Sequence, residues 1–236
     1  MALVGIVEVI CFLGLIPSFL LPPPSEVMHA FYTEFPILIK YAIPTLTATL
    51  TGFSLSVVIG YGLAILMDRF SLVKITLEPF IIISQNIPLI AIAPLFILWF
   101  GFGLLPKIMI IILTCFFPIT QNSLSGFEMV EKEHQQLFKM WNAPYWFELR
   151  YLKIPRGMQS FFTGLRISAT YAIMATIISE WTGGNSGLGI YLIRSKNAYK
   201  LPEFFAALLL IIILSLLFFT SIQLCEYYYN KKKRKV

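Results

Sequence analysis

The sequence predicts an all-α fold: a polytopic membrane helix bundle with about six transmembrane helices. Hydrophobic residues make up 58% of the 236 positions and charged residues only 13%, whereas about 25% of residues in soluble domains are charged. The apolar residues also form long runs, and about 20 mainly apolar residues let a helix cross ~30 Å of hydrocarbon. These observations exclude a water-soluble domain, and residues 1–236 fit a single transmembrane domain.

Six apolar stretches are long enough to span a bilayer. They lie at about 2–21, 43–66, 78–101, 106–125, 161–180 and 203–225. The first has no Lys or Arg before it and no small-residue cleavage signature, so we expect a retained span rather than a signal peptide. Pro88 and Pro94 in the third stretch and Pro118 in the fourth remove backbone donors, and we expect those helices to be kinked or broken.

The distribution of basic residues predicts the orientation. With both termini inside, the inner segments hold twelve Lys and Arg residues and the outer segments five. Short cytoplasmic segments of membrane proteins carry this positive excess. The sequence therefore predicts a multi-pass membrane protein with both termini in the cytoplasm. The KKKRK run at 231–235 is interpreted as an anchor that fixes this topology.

Motifs for covalent chemistry are absent from the sequence. It contains no phosphate-binding loop, zinc-protease helix, nucleophile elbow or paired-cysteine metal motif. Cys11, Cys115 and Cys225 are far apart and are interpreted as reduced packing residues. His29 and His134 are expected at the surface. The sequence predicts no catalytic residue, no metal site and no cofactor.

The longest polar segment, about 126–160, is the loop between the fourth and fifth stretches. Residues 134–147 are expected to form a short helix that ends at Pro144, because proline denies the helix a backbone donor. Leu137, Phe138 and Trp141 share one face of that helix, and such an apolar surface is typical of a docking site for a partner. The alternative is an amphipathic stretch that lies on the bilayer.

This loop resembles the coupling loop of binding-protein-dependent ABC importer permeases. That loop has the pattern E-A-A, three residues, Gly, and later Ile-x-Leu-Pro. Here Gln136, Leu137 and Phe138 occupy the E-A-A positions, Asn142 replaces the glycine, and Leu152-Lys153-Ile154-Pro155 forms the terminal part. Asn can adopt the left-handed conformation that glycine adopts. The resemblance implies that the ATPase-coupling residues are Gln136, Leu137, Phe138, Trp141, Asn142, Ala143, Pro144 and Pro155.

The resemblance extends over nearly the whole chain. The segments SQNIPLIAIAPLFILWFGFG, PKIMIIILTCFFPIT, GLRISATYA and SEWTGGNSGLG are similar to the nitrate, sulfonate and taurine group of these permeases. Within that group they look most similar to permeases for thiamine-precursor pyrimidines. The resemblance implies a type I importer permease that works as a homodimer with two cytoplasmic ATP-binding subunits and an extracytoplasmic solute-binding protein. It also implies alternating access without an ATPase site on this chain, and a location in the bacterial plasma or inner membrane.

The fifth stretch carries a stripe of small residues, namely Ser168, Ala172, Ala175 and Ser179. Small side chains let another helix approach closely, so the stripe predicts a helix–helix contact. Ile173 lies off the stripe and is expected to tolerate replacement better than Ala172 or Ala175.

Four polar residues in or beside the spans are candidates for the translocation pathway. Arg166 and Glu180 lie on roughly the face opposite the small-residue stripe and about 21 Å apart along the helix, which excludes a direct ion pair. Gln85 and Asn86 precede Pro88, where amides need partners or a wet cavity. The alternatives are interfacial positions for Arg166 and Glu180 and interhelical hydrogen bonds for the two amides.

Two substrates for an importer permease and two functions of another class, taken together as a third alternative, remain in competition. The first is an importer permease for a pyrimidine or similar heterocycle, and the second is the same kind of permease for a sulfonate, taurine or nitrate. A stand-alone secondary transporter or a membrane enzyme is the third. Secondary transport favours carboxylates in the middle of spans, but Glu8 and Glu180 lie near span ends.

Overall fold

The computed structural model describes residues 8–11, 13 and 21–233. Ten α-helices and one π-helical turn follow one another from residue 24, and these described residues contain no β-strand. The helices are α1 (Pro24–Thr33), α2 (Phe35–Arg69), α3 (Ser71–Gln85), α4 (Leu89–Phe100), α5 (Leu104–Glu128), α6 (Lys132–Met140), α7 (Tyr145–Glu148), α8 (Ile154–Gly183), α9 (Leu188–Asn197) and α10 (Leu201–Lys233). The π-helical turn, Leu149–Lys153, joins α7 to α8.

Four helices are long and apolar enough to cross a membrane, and they are α2, α5, α8 and α10. They contain the stretches predicted at 43–66, 106–125, 161–180 and 203–225, so these four predictions are confirmed. Most of the first predicted stretch, 2–21, lies outside the described residues.

The third predicted stretch is broken rather than straight. Helices α3 and α4 meet at an angle of 104° across a short break, so this pair is either a broken span or a re-entrant hairpin. Pro88 is the N-cap of α4, which fits the expectation that proline interrupts this stretch. Pro94 and Pro118, in contrast, lie inside continuous helices. Neither proline breaks its helix, and a kink at these two positions stays a prediction.

Helix α5 lies at the centre of the bundle, between α2 and α8. Gly164 allows α8 to approach closely, because a Cβ atom there would lie 2.8 Å from the Pro118 carbonyl oxygen of α5. All four stripe residues, Ser168, Ala172, Ala175 and Ser179, are buried. The Ser168 hydroxyl donates to the Cys115 carbonyl of α5 at 2.8 Å, which confirms that the stripe meets another helix.

The expectation that Ile173 lies on a tolerant face is wrong. Ile173 is only 2% exposed and packs in a second apolar cluster with Leu188, Leu192 and Ala206. Helix α8 is therefore covered on two sides, by α5 along the stripe and by α9 and α10 beside Ile173. Its exposed residues Ile167, Tyr171 and Met174 recur at steps of four and three and mark the third side.

The two ends of the bundle differ. The loop end is the end at which α2, α5 and α10 finish and at which α6, α7 and the start of α8 lie. The α9 end is the opposite end, where α9 packs against α8, α10 and α2. At the α9 end the Tyr191 hydroxyl donates to Glu34 at 3.3 Å. Burial, and then the neighbouring Glu34 and Glu203 carboxylates, raise the pKa of Tyr191 above its ordinary value, so its hydroxyl remains a donor at neutral pH.

Candidate functional site: a cavity in the bundle and an exposed loop

A cavity of about 540 Å³ lies between the α3–α4 break, α5 and α8. Its polar lining residues are Ser84, Gln85, Thr114, Gln121, Asn122 and Tyr171. Its apolar lining residues are Ile87, Leu89, Leu113, Phe117, Pro118, Ile167, Met174 and Ile178. The exposed side of α8 thus forms one wall, and the volume is within the usual range of ~300–1,000 Å³ for small-molecule sites.

The break between α3 and α4 places Gln85 on this cavity but not Asn86. Helix α3 ends at Gln85, where the chain turns and brings Ile87 and Leu89 to the wall. Asn86 is exposed, and its side-chain amide donates to the Ile82 carbonyl at 2.9 Å. Asn86 therefore closes the end of α3.

Helix α5 contributes the amides of Gln121 and Asn122. Pro118 cannot donate a backbone hydrogen bond, so the Thr114 carbonyl four residues earlier loses its usual helical partner beside the cavity. The Asn122 amide nitrogen donates to the Pro118 carbonyl at 2.8 Å. The Gln121 Oε1 atom is buried and has no hydrogen-bond partner within the described part of the chain.

Glu180 lies in a buried polar network at the α9 end. Lys107 Nζ of α5 lies 3.2 Å from Glu180 Oε1 and donates to the Ser186 carbonyl at 2.8 Å. The Thr45 hydroxyl of α2 donates to Glu180 Oε1 at 3.0 Å. The Gly189 backbone N–H donates to Glu180 Oε2 at 2.8 Å. This carboxylate joins α2, α5 and α8 to the N-terminus of α9, where negative charge is favourable.

The turn that enters α9 is shaped around the Glu180 carboxylate. Gly187 is the N-cap of α9 and has a φ of 117°, a conformation that is essentially limited to glycine. A Cβ atom at Gly187 would lie 1.9 Å from Glu180 Oε1. Both the backbone angle and the space therefore require glycine here.

Arg166 lies towards the loop end and pairs with Glu226 of α10. Its Nη1 atom lies 2.6 Å from Glu226 Oε2, and its Nη2 atom donates to the Thr163 hydroxyl at 3.2 Å. The Glu226 side chain is 11% exposed and the Arg166 side chain 31%. This ion pair joins α8 to α10.

The loop end carries an exposed apolar surface, called the loop surface below. It consists of Leu137, Met140, Trp141, Trp146, Phe147 and Tyr151, which are 44–76% exposed. The half-buried Phe138 ring lies 6.2 Å from the ring of Trp141 and 6.0 Å from that of Phe147, so α6 and α7 pack through aromatic contacts beneath this surface.

Asn142 forms the turn between α6 and α7. Its φ is 51°, so Asn142 adopts the left-handed conformation that asparagine shares with glycine. The Ala143 N–H donates to the Phe138 carbonyl at 3.0 Å, the long hydrogen bond of a Schellman helix end. Helix α6 ends at Met140, and Pro144 is the N-cap of α7. The single helix expected over 134–147 is therefore two helices with a fixed turn between them.

The base of this loop is joined to α2 by buried polar contacts. Lys153 Nζ lies 2.8 Å from Asp68 Oδ2, and the Tyr145 hydroxyl donates to the same oxygen at 2.7 Å. Lys233 near the end of α10 donates to the Pro155 carbonyl at 2.9 Å. The loop surface is thus held on α2, α8 and α10 together.

Residues 56–235 match the family of binding-protein-dependent transport system inner membrane components. The chain belongs to this family. It is a multi-pass permease of the ABC importer type, a class in which separate subunits carry the ATPase activity.

Several relatives of this permease are named for different solutes. The formylaminopyrimidine transport permease ThiX of Halalkalibacterium halodurans is 34% identical over 80% of this chain and 76% of that protein. The riboflavin transport permease RibX of Chloroflexus aurantiacus is 30% identical over 81% of this chain and 72% of that protein. The aliphatic sulfonates transport permease SsuC of Bacillus subtilis is 25% identical over 86% of this chain and 75% of that protein.

A solved structure shares the fold of this permease. A chain of an amino acid ABC transporter with histidines has a TM-score of 0.68 and 16% identity. The match covers 84% of this permease and 96% of that chain.

The structure separates the four pathway candidates of this permease. Gln85 lies on the cavity, whereas Asn86 closes a helix and Arg166 and Glu180 are paired with Glu226 and Lys107. A pathway role for these four residues stays a prediction. Sequence reasoning did not find Gln121 and Tyr171, although an amide and a phenol within apolar spans are a signal that could have been used.

Proposed function

We propose that this permease imports a small, flat nitrogen heterocycle, with a thiamine-precursor pyrimidine as the favoured solute. The relatives ThiX and RibX support this proposal, because both are described as permeases for nitrogen heterocycles. The observation that carries it is the 34% identity to ThiX over most of both chains. Residues 56–235, which match the family, include the cavity walls on α3, α4, α5 and α8.

The loop end faces the cytoplasm in this proposal, and both termini do as well. The basic residues Arg69, Lys153, Arg156 and Lys233 lie at the loop end, in agreement with the positive-inside rule. The ATPase subunit binds the loop surface, whose exposed Trp141 and Met140 are 72% and 76% accessible. Aromatic anchors of this kind commonly dominate binding free energy.

Two copies of the permease, two ATPase subunits and a solute-binding protein complete the transporter. The solute-binding protein approaches the α9 end, and the second permease copy covers part of the apolar surface of the spans. No covalent change occurs on the permease; it moves the solute by exposing the cavity to one side and then to the other.

The contacts that attach the loop to the spans explain how ATPase movement is coupled to the permease. A movement of the ATPase that displaces α6 and α7 is passed to α2 through Asp68, which contacts both Lys153 and Tyr145. It is passed to α8 through the π-helical turn, and to α10 through Lys233 and the Arg166–Glu226 pair. A surface joined to three spans in this way moves them as a group rather than bending alone.

Import of a sulfonate, taurine or nitrate is the second candidate function. It is favoured by the matches to SsuC and to the taurine permease TauC of Escherichia coli, at 25% and 26% identity. These identities are lower than that to ThiX.

Growth rescue distinguishes the two candidates. The permease is expressed with its ATPase and solute-binding protein in a strain that requires an external pyrimidine precursor of thiamine. We expect growth on micromolar pyrimidine and no gain in sulfonate or nitrate use. Sulfonate or nitrate uptake without pyrimidine rescue contradicts the proposed substrate.

A further inference from the structure

We propose that the cavity between α5, α8 and the α3–α4 break is a recognition site for an uncharged, flat, hydrogen-bonding solute, and that Gln121 is one of the groups that bind it. This inference rests on the proposed import function and specifies where, and by what chemistry, the permease itself selects its solute.

The first observation is the unpaired amide of Gln121. Its Oε1 atom is buried without a hydrogen-bond partner in the described part of the chain, although the neighbouring Asn122 amide is bound to the Pro118 carbonyl. Buried polar atoms are almost always paired, because an unmade hydrogen bond there is costly. Gln121 lines the cavity, so a rotation of its side chain can present this oxygen to a solute that supplies the missing donor.

The second observation is the combination of amides with aromatic surface. Gln85 and Gln121 each offer a donor and an acceptor. The edge of an aminopyrimidine presents an amino donor next to a ring-nitrogen acceptor, which matches a side-chain amide. Phe117 and Tyr171 also line the cavity, and aromatic rings pack favourably on a flat heterocycle.

The third observation is the lack of charge. Of the described residues that line the cavity, none is Asp, Glu, Lys or Arg. The cations on α5 and α8 are engaged elsewhere: Lys107 with Glu180, Arg166 with Glu226, and Arg156, at the loop end, with Glu131. A nitrate or sulfonate that leaves water for this cavity would meet no opposite charge, and burying an unpaired charge is strongly unfavourable. The cavity therefore favours neutral solutes.

The test uses the complete transporter in proteoliposomes, with its ATPase and solute-binding protein. Gln121→Leu removes the amide, and Gln121→Glu keeps its shape but removes the donor. We expect each variant to lower formylaminopyrimidine uptake at least tenfold while ATP hydrolysis stimulated by the binding protein stays within twofold of the parent rate. Gln223→Leu is the matched control, because Gln223 is exposed on α10 and is not among the cavity residues.

Two results would overturn the site. One is normal pyrimidine uptake by both Gln121 variants. The other is that both variants lose ATP hydrolysis in parallel with uptake, or no longer form the permease dimer on cross-linking. Gln121 would then support packing or assembly rather than bind the solute.

The solutes imported by the parent permease distinguish a failure of this inference from a failure of the proposed substrate. If it imports riboflavin but not formylaminopyrimidine, and the Gln121 variants lose riboflavin uptake, the pyrimidine assignment fails and the neutral site stands. If the parent imports taurine or nitrate, the neutral site fails as well.

Discussion

At the scale of single residues, the stability of the permease depends strongly on the Lys107–Glu180 ion pair. Both side chains are almost fully buried, at 7% and 0% exposure. Removal of one partner from a buried pair typically costs about 3 kcal/mol or more, because the other charge stays buried alone. Lys107→Met should therefore lower the unfolding temperature of the detergent-purified permease clearly, and Glu180→Met should do the same.

The double variant Lys107→Met/Glu180→Met is the control for that prediction. It leaves no unpaired charge, so it should be more stable than either single variant. Additive losses in the double variant would show that the two charges do not depend on each other.

Gly187 provides a second prediction at this scale. Gly187→Ala forces a Cβ atom onto the Glu180 carboxylate at a φ of 117°, and we expect a loss of about 2 kcal/mol in unfolding free energy. Gly62→Ala is the matched control, because Gly62 lies within α2 with no atom near its added Cβ. The control should be neutral or more stable, since alanine favours helix over glycine. Equal thermal stability of the two variants would contradict this account of the turn.

The sequence could predict some residues but not their partners. The residue type of Asn142 permits a left-handed turn, and the structure shows that conformation there. The partner of Glu180 was not predictable, because Lys107 lies 73 positions away and only the packing of α5 on α8 brings the two together. The same holds for Arg166 and Glu226.

At the scale of the elements, the proposed docking of the ATPase on the loop surface predicts that Trp141 is its main anchor. Trp141→Ala should weaken ATPase binding by about 2 kcal/mol, roughly thirtyfold in Kd, and uncouple ATP hydrolysis from uptake while the bundle stays folded. Co-purification and coupled transport measure both effects. Trp99→Ala is the control, because Trp99 is also exposed, at 63%, but lies on α4. Normal ATPase binding by Trp141→Ala favours the bilayer-surface interpretation of the loop.

The small-residue stripe of α8 gives the other prediction at this scale. Ala172→Leu or Ala175→Leu inserts three carbon atoms into a packed contact, because both alanines are at most 1% exposed. Overpacking of this kind typically costs ~1–3 kcal/mol, so thermal unfolding should begin at a lower temperature. Thr170→Leu, at an exposed position of the same helix, should be tolerated. A loss at Thr170 as large as at Ala172 would argue against the stripe.

At the scale of the whole molecule, hydropathy predicted four spans well and the third stretch only in part. Apolar length fixes where α2, α5, α8 and α10 cross, but it does not show how α3 and α4 are arranged around Pro88. A cavity between distant elements depends on that arrangement. Gln85 could therefore be proposed from sequence, whereas its neighbours Gln121 and Tyr171 could be placed only by the fold.

Sidedness is a prediction for the whole molecule. In a background without Cys11 and Cys225, a cysteine at Glu133 on α6 should react with a membrane-impermeant thiol reagent only after the cells are permeabilised. A cysteine at Lys196, exposed at the α9 end, should react in intact cells. The reverse pattern would invert the topology and place the loop surface outside the cytoplasm.

The most direct test of the importer account is the energy source for uptake by the purified permease in proteoliposomes. Labelled formylaminopyrimidine is offered with the solute-binding protein outside, and the ATPase subunit and ATP are enclosed on the side of the loop surface. The account predicts uptake only when the ATPase subunit, ATP and binding protein are all present. Uptake by the permease alone, driven by a proton or sodium gradient, would contradict it and identify a secondary transporter.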